Sequence, residues 1–157
     1  MKVDQEILGS KLNYLLAICN DGKEGYKAAA ATAETYELKV LFTTYAIQRA
    51  EFAEKLLQNL RQIEGKITYN ISGGPLGVLH RTWLTIKTAL TGKDNKAVLD
   101  ACITGEKAAV EAYDEILEMR GLDLDLRLAL MQQRSQVNEA LHHIRKLRFH
   151  YDTHLYE

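Results

Sequence analysis

The sequence has little that breaks or staples a chain. It holds one proline and ten glycines in 157 residues, so few positions interrupt helix formation. That scarcity argues against an all-β domain, which needs turn residues at short intervals. The two cysteines, Cys19 and Cys102, are too few and too far apart for a disulfide framework or a CxxC metal or redox motif. Each stands in apolar helical sequence and reads as a small buried side chain. Neither sign of charge is in excess, with 20 Lys+Arg against 21 Asp+Glu and a net charge of −1. Such a chain projects no field toward nucleic acid or an anionic membrane. Long apolar runs are also missing. The first residues, MKVDQEILGSKLNYLLAICNDGKEG, scatter charges where a signal peptide or a membrane span needs an unbroken apolar stretch. A cytoplasmic protein without nucleic-acid or membrane partners is expected.

What is present is helical periodicity over the length of one domain. Leu8, Leu12, Leu15, Cys19, Tyr26, Ala30 and Ala33 recur at steps that make one stripe. Asp4 stands ahead of that stripe as an N-cap. Gly22 and Gly25 fall near it, where glycine costs about 1 kcal/mol of helix propensity each. A close approach or a local distortion must offset that cost. Leu38, Leu41, Phe42, Tyr45, Phe52, Leu56, Leu60 and Ile63 make a second stripe. Thr35 caps its helix, and Gly65 is placed to stop it. After an irregular stretch, Pro75 opens a short helix carrying Leu79, Trp83, Ile86 and Leu90. Asp94 caps the next helix, with Val98, Cys102, Ala109, Tyr113 and Ile116 inward. Gly121 ends it, and the last helix has Met131, Leu141 and Phe149 among its apolar positions.

The expected helices span about 4–34, 36–64, 75–90, 95–119 and 124–150, in a single domain of residues 1–157. A connection of about thirty residues is long enough to return along a bundle, leaving the second and third long helices parallel. The expected fold is therefore all-α, a ferritin-like four-helix bundle with a long crossover that contains a short extra helix.

That topology raises a metal question. A di-iron bundle takes a Glu from each of two helices and Glu-x-x-His from each of the other two. The sequence offers Glu24, then Glu51 with Glu54 in place of the histidine, then Glu106, then Glu139 with His142. Iron or manganese is the cofactor this set would take; with no metal, no cofactor is expected. Helical phase opposes the set, because Glu24, Glu51, Glu54 and Glu139 fall away from their apolar stripes and only Glu106 sits near its own.

The same test finds charges that point inward. Arg49 lies between Tyr45 and Phe52, Lys87 lies near Trp83, and His80 is at the edge of that face. A buried charge needs a partner, and Glu106 is the best-placed acid for Arg49. A buried polar cluster of Arg49, His80, Trp83, Lys87 and Glu106 is therefore expected, with an Arg49–Glu106 pair fixing the register of the bundle. No nucleophile elbow, phosphate loop, dinucleotide fingerprint or H-E-x-x-H is present. His150 and His154, one turn apart, lack a third ligand. Arg145, Lys146 and Arg148 are diluted by Asp152 and Glu157.

Four stretches carry a family resemblance. They are L-N-x-L-L-x-x-C-x-D-G-x-E-G-Y at Leu12–Tyr26, Q-R-A-E-F-A-x-x-L at Gln48–Leu56, G-x-L-H-R-x-W-x-x-I-K-x-A-L-T-G at Gly77–Gly92 and G-E-x-A-A-V-x-A-Y at Gly105–Tyr113. The chain resembles an uncharacterised bacterial family of ferritin-like bundles, a domain of unknown function. The resemblance implies the fold and no established activity. Two functions remain as expectations. One is a non-enzymatic structural, interaction or stress-related bundle, acting as a homodimer or other homo-oligomer or through an unknown protein partner. The other is a di-iron or di-manganese carboxylate protein for metal storage or oxidant consumption. A small-molecule pocket near His80 and Trp83 is a remoter third.

Overall fold

The computed structural model describes residues 3–63 and 94–153. They form four helices and, among the described residues, no strand: α1 Gln5–Thr32, α2 Tyr36–Arg61, α3 Asn95–Leu117 and α4 Leu124–Thr153. The stretch in which a short fifth helix is expected lies outside the described residues, as does Gly65. α2 ends at Arg61, with Gln62 as C-cap.

Local chemistry sets the helix starts. Asp4 Oδ1 accepts from the backbone N–H groups of Glu6 and Ile7 at 3.0 and 3.1 Å. Thr35 Oγ1 accepts from Leu38 N at 3.2 Å, and Asp94 Oδ1 from Ala97 N at 3.1 Å. Asp123 Oδ2 does the same for Leu126 N at 3.3 Å. Each satisfies a donor that the first helical turn leaves orphaned. Between α3 and α4 the chain turns through Gly121 at φ 77°, a left-handed conformation that favours glycine.

Two apolar clusters stack along the bundle. The first joins Leu12, Leu15 and Cys19 of α1 to Phe52, Leu56 and Leu60 of α2, Ala109, Tyr113 and Ile116 of α3, and Leu126, Leu130 and Val137 of α4. The second joins Tyr26, Ala29 and Ala30 to Leu38, Phe42 and Tyr45, Val98, Leu99 and Cys102, and Ala140 and Ile144. The first half of α1 thus lies level with the second half of α2, the second half of α3 and the first half of α4. α1 and α4 therefore run one way, and α2 and α3 the other. Leu12, Leu15, Leu56, Leu130 and Ile144 are wholly buried, and each such side chain contributes roughly 1.5–3 kcal/mol of transfer free energy.

α4 leaves part of its apolar surface exposed. Of Met131, Leu141 and Phe149, only Leu141 is buried, while Met131 is 50% and Phe149 66% exposed. The helix carries apolar residues on two faces, and Leu126, Leu130, Val137 and Ile144 occupy the inner one. No helix among the described residues is long and apolar enough to cross a membrane.

Candidate functional site

The two apolar clusters meet at a polar layer. On α2, Arg49 lies between Tyr45 of one cluster and Phe52 of the other. On α3, Glu106 lies likewise between Cys102 and Ala109. Arg49 is 1% and Glu106 4% exposed, and Arg49 Nη2 donates to Glu106 Oε2. The other terminal nitrogen, Nη1, donates to Gln48 Oε1 at 3.2 Å. Two rings flank the guanidinium, Phe52 at 5.5 Å and Tyr26 at 6.0 Å from ring centroid to Cζ, close enough for cation–π attraction.

Gly22 on α1 makes the seat for this side chain. A Cβ built there would meet Cγ, Cδ and Nε of Arg49 at 3.5 Å. The neighbour at Gly22 is thus an arginine stem, which a methyl group would meet at ordinary van der Waals distance, and α1 passes through Gly22 and Gly25 as continuous helix.

A second polar chain adjoins the pair. The Tyr113 hydroxyl donates to Gln133 Oε1 at 2.7 Å and lies 3.8 Å from Cys19 Sγ. Tyr113 is fully buried and Gln133 is 6% exposed. Sequence reasoning missed this chain, although one signal was there. Gln133 falls in phase with Leu126, Leu130 and Val137, the same inward placement that singled out Arg49.

Electrostatics hold the buried guanidinium charged and the buried thiols and phenols around it protonated. Burial opposes charge on Arg49, yet Glu106 beside it more than compensates and holds its pKa above the usual range. Burial pushes the Cys19 thiol up to about 11, against the opposing pull of Arg49. Cys102 is raised further, by burial and then by Glu106. The same two causes push Tyr45 up to about 12 and Tyr26 well above its ordinary value. Protonated buried thiols are poor nucleophiles, and a guanidinium does not exchange protons at physiological pH. As built, the layer holds charge and geometry in place.

The remaining candidates divide cleanly. Arg49 and Glu106 are brought together, while His80, Trp83 and Lys87 lie outside the described residues. Of the six carboxylate-site candidates, Glu24, Glu51, Glu54, Glu139 and His142 are exposed, and Glu106 is committed to Arg49. Among the described residues, no group of three His, Cys, Asp or Glu side chains gathers where a metal could be held.

Residues 8–119 match a family described as a domain of unknown function, DUF2383. The chain belongs to that family. The DUF2383 match takes in α1 from Leu8, α2 and α3. Arg49, Glu106 and Gly22 all lie within it, whereas α4, with Gln133, lies beyond it. No curated protein matches the chain.

Proposed function

We propose that this DUF2383 protein is a ferritin-like bundle that works as a structural or interaction module in the cytoplasm, not as an enzyme. Its core is closed by an ion pair in the place where related architectures gather metal ligands. Supporting that fold, α2 and α3 run the same way, opposite to α1 and α4. The observation that carries the reading is the buried Arg49–Glu106 pair. The one inward carboxylate of the candidate ligand set is neutralised by a permanent cation. A cation in that position repels a metal ion and takes up the lone pairs a metal would use. The near-neutral surface favours a protein partner, which includes a second copy, over nucleic acid.

Metal analysis of the chain, purified without a histidine tag from cells grown with iron and manganese, tests this. We expect far less than one equivalent of either metal. Two equivalents of iron or manganese, released by Glu106→Gln, overturn the reading in favour of the di-metal carboxylate protein.

A further inference from the structure

The inner face of α4 is narrow, and its outer face is patterned. Leu124, Leu128, Met131, Ser135, Asn138, His142, Arg145 and Phe149 follow one another in alternating steps of four and three. That spacing sets all eight on one face, as in the seam of a coiled coil, with apolar residues at the two ends and Ser135, Asn138, His142 and Arg145 between them. None of the eight is buried, and Leu124, Leu128 and Met131 are 66%, 55% and 50% exposed. Singly exposed apolar residues are ordinary on a protein surface. A run of three at the head of a seam as long as the helix is not.

We infer that this face of α4 binds the same face of a second copy, antiparallel, about a two-fold axis between Ser135 and Asn138. The two ends of the seam differ, an apolar head beside Asp125 and a basic tail at Arg145 and Lys146, and this orientation sets one against the other. Leu124 then meets the partner's Phe149, Leu128 lies along the aliphatic stem of the partner's Arg145, and Met131 covers the partner's His142. Beside the seam, Asp125 comes level with the partner's Lys146, and symmetry repeats the ion pair at the other end. Arg127, which flanks the seam, is held away from it by its bonds to the carbonyl oxygens of Leu117 and Met119 at 2.9 and 3.1 Å. A parallel pairing keeps Asp125 and Lys146 at opposite ends of the dimer and loses both ion pairs. The apolar residues exposed on α2, Tyr36, Val40 and Ile47, reach only its first half before Glu51 and Glu54 follow.

The inference deepens the reading of the bundle as an interaction module by naming the partner. The experiments for the two are separate: metal content reports on the core, and self-association on α4. Sedimentation of the full chain should show a monomer–dimer equilibrium. Leu128→Glu, at an exposed position, should weaken it by at least roughly tenfold with helicity unchanged. Asp125→Lys should weaken it as well, and adding Lys146→Asp should restore it. Ser135→Cys should cross-link between chains with a short bismaleimide, against no background from the buried Cys19 and Cys102. Thr43→Cys on the outer face of α2 should not. A monomer at every concentration, a dimer indifferent to Leu128→Glu, or cross-linking through Thr43→Cys in place of Ser135→Cys overturns the proposal.

Discussion

Two arginines in this bundle have acidic partners and opposite circumstances. Arg49 reaches Glu106 between the two apolar clusters, with both side chains almost wholly out of water. Arg148 bonds Asp100 and Asp152 at 2.8 Å each, on the surface at the far end of α4. The surface set has more partners, yet solvent screens it, and either side chain can return to water when the other is removed. The buried pair has no such refuge. Its worth lies less in attraction than in the cost of separating it, because a lone charge in that layer is far more expensive than the pair. Counting ion pairs would rank these two sites the wrong way round.

The largest effect should come from breaking the buried pair on one side. Glu106→Ala strands the Arg49 guanidinium and should cost about 3–5 kcal/mol, lowering Tm by on the order of 10 °C. Replacing both members, Arg49→Met with Glu106→Leu, should recover most of that loss, since matched apolar residues leave no stranded charge. Calorimetry of the two variants decides it, and equal losses would remove the distinction drawn between pair and partner.

Alkaline pH is the next lever. In the unfolded chain Cys19 ionises near its ordinary 9.0, whereas in the fold it holds its proton to about 11. Between those values the native state binds more protons than the unfolded one, so stability falls as pH rises. Below about 9 this contribution is intact, and denaturant midpoints should begin to drop above it. A thiol reagent at neutral pH should leave Cys19 and Cys102 unmodified until the protein unfolds.

A smaller loss should follow Tyr113→Phe, which leaves Gln133 buried without its donor, at about 1–3 kcal/mol. Urea denaturation measures it. Smallest of all is Arg148→Ala, which should leave Tm unchanged within error. A Tm drop as large as that of Glu106→Ala would erase the contrast between surface and interior.

The helix starts were legible because caps are local. Asp4, Thr35 and Asp94 each stand next to the apolar stripe they introduce, and each bonds as that position requires. Arg49 and Glu106 were legible for a related reason, since phase alone turns both inward and a buried guanidinium must find an acid. Tyr113 and Gln133 obey the same rule, but the choice of partner across two helices depends on register, which no single helix encodes. Which apolar face of α4 turns inward was not legible, because apolar periodicity cannot tell an inner face from an outer one when a helix carries both. Gly22 was legible as a place of close approach or distortion, while its neighbour was not, because only the packing of α1 on α2 brings Arg49 to it.

The notch at Gly22 couples three positions that are distant in the chain. A methyl group there would touch the stem of Arg49 at ordinary van der Waals distance, so alanine is admissible. A longer side chain would need the volume the arginine fills. If the arginine gives way, Glu106 loses its counter-charge and must change too. Across the DUF2383 family, a side chain larger than alanine at residue 22 should therefore occur only where residues 49 and 106 have changed as well. A relative with a bulky residue at the first should carry an uncharged pair at the other two.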